Sequence, residues 1–419
     1  MIVSSTAGEL IALAGLAALL AIAYRNPRRA VEGGVAIAAA LLVIATGVLE
    51  LDAARRTVLD LAPVVLFLAF ILTISEICGR AGLFEALGAL IHGDPVRVFT
   101  VAFVIAAAVT STLNLDATVV LFTPVVVAAA RRPGYPVSPG GYACLRMANS
   151  ASLLLPVSNL TNLLAVPHLE LSFAGFALAM APVLTAVLMV EYVGLRLLLR
   201  RELAPSGGCP PPPDAVPSTP TSTPTLPIVP AAVVASMLVG FVATSPWHVE
   251  PFWVAGIATV TLTAWAARRG LIAVPDAVAA ARPEFSLLVL ALGLVVAALS
   301  VGALGDAVTS LLPAGIGFVD LLVIAAVATA LANLLTNLSA TLLVVPLVAP
   351  LGDVAVLAAL IGLNVGSGLT LSGSLANLLW RRTMAACDAP VRLGELHRIG
   401  LLLTPVSVTV AVAVLAVTS

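Results

Sequence analysis

Apolar residues gather along this chain in long runs, and short polar clusters interrupt them. Runs of roughly 17–25 residues are long enough for a helix to cross a hydrocarbon core. They fall at about 8–24, 33–50, 61–78, 141–165, 173–199, 228–245, 251–267, 285–304, 355–380 and 399–418. Two further apolar stretches, about 98–130 and 316–350, carry polar clusters near their centres. A transmembrane barrel would alternate apolar and polar positions, and these runs do not. The pattern predicts an all-α polytopic membrane protein with about ten transmembrane helices. The segment before the first run has no basic residue and no small-residue cleavage site, so it reads as a retained first helix rather than a signal peptide.

Composition agrees with that class. Hydrophobic residues make up 61% of the 419 positions and charged ones only 10%, against about 25% charged in soluble domains. All 20 basic residues are arginine, so a phosphate loop ending in Gly-Lys-Ser/Thr is excluded. The net charge of −1 gives no reason to expect a nucleic-acid partner. Cys78, Cys144, Cys209 and Cys387 are scattered without a CxxC pair, which points to neither a metal site nor a disulfide framework.

The arginines orient the chain. With both termini outside, 18 of the 20 lie on the cytoplasmic side and only Arg55 and Arg56 lie outside, as the positive-inside rule expects. The count holds only if stretches 98–130 and 316–350 each enter and leave by one face, as re-entrant hairpins. Between the halves, residues 202–227 are proline-rich and predict an extended cytoplasmic linker. The expected organisation is a first membrane repeat at 1–201, the linker at 202–227, and a second repeat at 228–419.

The two halves match at their polar breaks. Asn114-Leu-Asp-Ala-Thr118 reappears as Asn337-Leu-Ser-Ala-Thr341, 223 positions on. Asn149-x-x-Ser152 matches Asn364-x-x-Ser367, and Leu160-Thr-Asn162-Leu-Leu matches Leu375-Ala-Asn377-Leu-Leu, both at an offset of 215. The first half starts outside and the second inside, so the repeats are expected to be inverted. Paired broken helices in inverted repeats point to the midplane site of a secondary transporter. Backbone broken at membrane depth must be buried in protein or line a wet cavity.

At TSTLNLDATVVLFTPVVVAA (110–129) and ANSASLLLPVSNLTNLL (148–164) the chain resembles the arsenite-efflux (ArsB-type) permeases of the ion transporter superfamily. The second-half stretches NLLTNLSATLLVVP and LNVGSGLTLSGSLANLL are similar to that family and to the related divalent-anion symporters. The resemblance implies a scaffold part and a mobile part that carries the hairpins, in the manner of an elevator. It implies export of arsenite or antimonite across a bacterial inner membrane, driven by protons or assisted by a separate ATPase subunit, and it allows a homodimer.

The candidate site follows from the repeated polar residues. Asn114, Asp116, Thr118, Asn149, Ser152, Ser158, Asn159 and Asn162 would form one half, and Asn337, Ser339, Thr341, Asn364, Ser367, Ser372, Ser374 and Asn377 the other. Their amides and hydroxyls can bind an uncharged trihydroxide without a charged clamp. The same groups could instead only cap half-helices and join the bundle. Asp116, an ionisable group at membrane depth, is the expected proton carrier. Glu76 and Glu191 rank below it. Arg146 is expected to snorkel to the cytoplasmic surface, and Cys144 to be a bystander. His168 and His248 fall in predicted loops without metal-ligand spacing, and no metal or cofactor is implied. The leading reading is an arsenite or antimonite exporter that exchanges its solute for protons. The alternative is a Na+- or H+-coupled carboxylate or inorganic-anion symporter. No Ser/His/Asp, HExxH or CxxC constellation supports an enzyme.

Overall fold

A computed structural model describes residues 5–25, 29–204, 225–247, 249–300 and 302–419. Most of the predicted linker, with Arg28, Cys209 and His248, lies outside the described residues. The chain is helical, with no strand among the described residues. The first half runs α1 (Ser5–Arg25), α2 (Arg29–Ala45), α3 (Leu51–Arg80), α4 (Leu83–Gly88) and α5 (Pro95–Thr112). A π-helical segment (Ala117–Phe122) then leads into α6 (Thr123–Arg131), followed by α7 (Ser138–Ser150), α8 (Leu160–Ala165) and α9 (Phe173–Leu198). The second half runs α10 (Ile228–Thr244), α11 (Pro251–Arg268), α12 (Val274–Ala280), α13 (Pro283–Ser300) and α14 (Ala303–Leu311). It continues with α15 (Phe318–Leu335), α16 (Asn337–Val348), α17 (Asp353–Asn364), α18 (Leu375–Ala386) and α19 (Leu393–Thr418).

Among the described residues, seven helical stretches are long and apolar enough to cross a membrane, and shorter apolar helices accompany them. Apolar side chains such as Leu178, Ile257 and Val260 stand well exposed on the outside, as they would against lipid tails. Fold class is therefore that of a polytopic all-α membrane protein.

Local chemistry sets the breaks. Pro156 has no N–H to donate and forces Leu155 into an extended conformation (φ −122°, ψ 149°), which ends the helical run begun by α7. The carbonyls freed there are taken by one amide: Asn162 Nδ2 donates to Ser152 O (2.7 Å) and Leu155 O (3.0 Å). The second half repeats this arrangement without the proline. Asn377 Nδ2 donates to Ser367 O (2.9 Å) and Thr370 O (2.8 Å). Here glycine permits the break, because a Cβ on Gly373 would stand 2.1 Å from Ser367 O. Such paired bonding meets the demand that buried backbone groups be satisfied.

The stretches about 98–130 and 316–350 each fold as two helices joined by a tight turn, α5 with the π segment and α6, and α15 with α16. Asn114 Oδ1 accepts from Ala117 N (2.7 Å) and so holds the first turn. At the second turn Thr336 has a φ of 71°, a costly conformation for a β-branched residue.

Two bodies result. In one, α1, α2, α3, α11 and α13 pack together, with α10 on α11 and α12 on α3. In the other, α9 lies along α19, α15 along α17, α5 along α7, and α8 against α16 and α17. They meet chiefly where α13 packs on α16 and α3 reaches α8 and the π segment.

Candidate functional site

Between the two bodies lies a cavity of about 90 Å3. Both turns open onto it, through Asn114, Leu115 and Asp116 on one side and Asn337 and Leu338 on the other. Both breaks do as well, through Ser158 and Asn159 ahead of α8 and Ser374 ahead of α18. The first body closes it with Glu32 from α2, Phe67, Leu68 and Ile71 from α3, and Phe285 and Leu288 from α13. Six sequence candidates therefore share one cavity: Asn114, Asp116, Ser158, Asn159, Asn337 and Ser374.

Its polar lining favours a solute rich in oxygen. The amino-terminal ends of α16 and α18 face the cavity, and helix amino termini present partial positive charge and N–H donors. The Nδ2 of Asn114 is buried without a hydrogen-bond partner. A buried donor left unsatisfied costs about 1–3 kcal/mol, so a solute that accepts from it would gain that back. Asp116, two residues further along the same turn, also lines the cavity and supplies acceptor oxygens. Together these groups can donate to and accept from a small polyhydroxylated solute, with apolar side chains such as Phe67, Ile71 and Leu288 and the charged Glu32, Arg282 and Arg382 on the remaining walls.

Four other candidates serve a different end. Asn149 Nδ2 donates to Asn377 Oδ1 (2.8 Å), and Asn364 Nδ2 donates to Asn162 Oδ1 (2.7 Å). These two bonds are related by the 215-residue offset, and each crosses between halves. Two more bonds follow the same relation. Asn159 Nδ2 donates to Asn364 Oδ1 (2.8 Å), and Ser374 Oγ donates to Asn149 Oδ1 (3.0 Å). Asn149, Asn162, Asn364 and Asn377 are buried and have no contact with the cavity. They join the two broken segments, and through Asn159 and Ser374 they fix two cavity-lining groups.

The remaining candidates lie away from the cavity. Thr118 Oγ1 shares a hydrogen bond with Thr110 Oγ1 (2.7 Å) inside the first hairpin. Ser152 and Ser367 donate to Asn149 O and Asn364 O, both at 2.7 Å. Thr341 donates to Asn337 O (2.6 Å), and Ser372 to Asn333 O (3.1 Å). Ser339 Oγ is buried without a partner, but it does not line the cavity.

Arg146 departs from its expected place. It is 1% exposed, and with Glu191, 0% exposed, it forms a bidentate ion pair inside the second body. Its Nη1 also donates to Gly368 O (2.9 Å) and Thr404 Oγ1 (3.0 Å), while Ser407 Oγ donates to Glu191 Oε1 (2.9 Å). Snorkelling needs a lipid-facing helix, and α7 is enclosed by protein along its length. Glu191 is an interhelical group. Glu76 pairs with Arg80 (2.8 Å) on an exposed face, an arrangement worth about 0.3–0.5 kcal/mol. Cys144 is buried outside the cavity, and His168 is exposed in its turn.

Two cavity arginines were not legible in the pattern. Arg282 and Arg382 both line it, yet in sequence each reads as an ordinary cytoplasmic flank. Asn333 was also missed, although it accepts from Thr370 N (3.0 Å) and donates to Gly366 O (3.0 Å), holding the second break. Its position 223 after Thr110 was the available signal. The π-helical segment directly after Asp116 had a signal too. Pro124 lacks an N–H, and Thr123 Oγ1 donates to Thr118 O (2.9 Å) beside it. Such π segments are frequent at functional sites.

Comparison with known proteins gives a consistent picture. A family model described as citrate transporter matches residues 18–364. Two Escherichia coli proteins named arsenical pump membrane protein are 26% and 25% identical to this chain, over 377 and 375 residues. A Yersinia enterocolitica protein of the same name is 26% identical over 375 residues. Each alignment covers 84% of this chain and 85% of the relative.

Proposed function

The chain belongs to the citrate transporter family, and we propose that this multi-pass membrane transporter exports arsenite or antimonite from the cytoplasm of a bacterium in exchange for protons. The observation that carries the reading is the shared cavity where both turns and both breaks meet, with Asp116 as the carboxylate that a turn itself carries onto the wall, opposite Glu32 of the first body. At neutral pH arsenite is mostly an uncharged trihydroxide. It can donate its hydroxyl protons to the Asp116 carboxylate and accept from the unpartnered Asn114 Nδ2. Protonation of Asp116 removes the acceptor that holds the solute, so proton and solute compete for one group. The names of the relatives support arsenite over other solutes.

Alternating access would come from movement of one body against the other. The cavity is built mostly from the second body and closed by the first, which suits an elevator. The matched halves support the inverted-repeat arrangement, with the proline-rich stretch as a cytoplasmic linker and both termini outside.

A second reading has its own support. Arg282, Arg382 and the two helix amino termini would suit a carboxylate or inorganic anion. Uptake into everted membrane vesicles separates the two. Arsenite, antimonite, phosphate and a dicarboxylate are each offered under a pH gradient or a sodium gradient. Accumulation of arsenite and antimonite under the pH gradient alone is expected, whereas accumulation of only the charged solutes, or dependence on sodium, would establish the second reading.

The paired turns give a further expectation. Asn114→Ala and Asn337→Ala should each lower arsenite transport about 5- to 10-fold, the worth of one neutral hydrogen bond to the solute, ~1 kcal/mol or slightly more. Expression should fall far less. Either variant transporting at the wild-type rate, with equal protein in the membrane, would remove one turn from the site.

A further inference from the structure

Asp116 and Arg282 lie on different bodies, yet both line the same two spaces. The first is the cavity already described. The second is a cleft of about 340 Å3 lined by Ser75, Glu76, Arg80, Ala117, Asp276 and neighbouring residues, together with Asp116 and Arg282. The pair therefore stands where cleft and cavity join. Arg282 sits in the short connection between α12 and α13, directly before Pro283. Its φ is 48°, a region costly for a residue with a side chain and disfavoured further before proline. Backbone strain of this kind persists where the surroundings over-determine it, and it clusters at switch and binding regions.

Other charged groups face Asp116 from the elements around it. Glu32 on α2 and Arg382 on α18 share the cavity. Glu76 and Arg80 on α3 and Asp276 on α12 share the cleft. Arg80 is already engaged, 2.8 Å from Glu76 and 3.6 Å from Asp276. Arg382 lies on α18, which packs against α6, α7 and the π segment of the body that holds Asp116, so their relation need not change when the bodies move. Arg282 differs on both counts. It belongs to the other body, and its contact with Glu284 is long, 3.9 Å from Nε to Oε1. Its guanidinium also rests 5.4 Å from the Phe285 ring centroid.

We propose that Arg282 is a positioning residue that makes the exchange obligatory: it is the counter-charge on the first body that retains the hairpin bearing empty, ionised Asp116. This rests on the reading of Asp116 as the proton carrier. Moving an unneutralised carboxylate away from the guanidinium separates opposite charges, which is unfavourable. Protonation of Asp116 cancels the attraction and frees the hairpin. A bound solute frees it differently, by occupying the carboxylate oxygens and standing between the two charges. Only the proton-loaded and solute-loaded forms then cross. Without Arg282 the empty ionised form crosses too, and each such return completes a cycle that carries a proton without solute.

The test uses purified full-length protein in liposomes, with three readouts: proton leak without solute, arsenite accumulation under a pH gradient, and arsenite–arsenite exchange. Arg282→Gln is expected to raise the solute-free leak about tenfold, the equivalent of one pKa unit of charge interaction. Accumulation should fall by a similar factor while exchange stays measurable. Arg282→Lys, which keeps the charge, should restore low leak and most of the accumulation. Loss of accumulation and exchange in Arg282→Gln without any rise in leak would assign Arg282 a merely structural role and overturn the proposal. An unchanged leak with normal accumulation would overturn it as well. Asp116→Asn measured alongside separates the two levels. If it accumulates arsenite normally the carrier reading fails, and if it does not, the Arg282 result stands on its own.

Discussion

Asp116→Asn is expected to abolish arsenite accumulation driven by a pH gradient. The amide keeps the shape of the turn but neither titrates nor carries charge. Hydrogen bonds to a charged group contribute about 1.5–3 kcal/mol, so solute affinity should fall roughly 10- to 100-fold. The loss of coupling should be complete whatever the affinity, because no proton is exchanged. Weak downhill exchange is expected to survive. Asp116→Glu should outperform Asn, limited by one extra methylene in a packed turn. Accumulation by everted vesicles across external pH, wild type against variant, checks this. Unchanged accumulation and unchanged pH dependence in Asp116→Asn would rule out Asp116 as the carrier.

Breaking the Arg146–Glu191 pair should cost the protein more stability than loss of any cavity-lining side chain. Glu191→Gln leaves a guanidinium buried beside a neutral amide, and Arg146→Met leaves a buried carboxylate. Removing one partner of a buried pair costs about 3–5 kcal/mol. The damage should spread, because the pair joins α7 to α9 and reaches α19 and the second break through Thr404, Ser407 and Gly368. Replacing both partners with apolar residues of similar volume should be milder than either single change, since no charge is then stranded. Thermal loss of the monodisperse peak in detergent measures it. Singles as stable as wild type, or a double variant worse than their sum, would contradict the assignment.

Much of the fold was legible because polar residues at membrane depth are conspicuous. Asn114, Asp116 and Asn337 interrupt apolar runs, and the turns lie at those positions. Asn162 and Asn377 marked the breaks for the same reason: each takes two freed carbonyls. What the pattern could not separate was lining from bracing. Asn149 and Asn159 look alike in sequence, yet only Asn159 reaches the cavity, and Asn149 spends its amide on Asn377. That distinction depends on how the halves face each other across more than 200 residues. The arginines failed in a different way. The positive-inside rule explains any flanking arginine, so Arg282 and Arg382 carried no mark of their cavity positions. Arg146 was misread because the rule presumes lipid around a helix that is in fact buried on every side. A lone Glu191 within an apolar run was the clue to its partner.

The most direct measurement is arsenite uptake by the purified protein in proteoliposomes, with a pH gradient imposed in either direction and no ATP or sodium present. Uptake should concentrate arsenite against its gradient when protons leave the liposome, reverse when the gradient is reversed, and collapse with a protonophore. Uptake that only equilibrates, or that ignores the pH gradient, would contradict proton-coupled export.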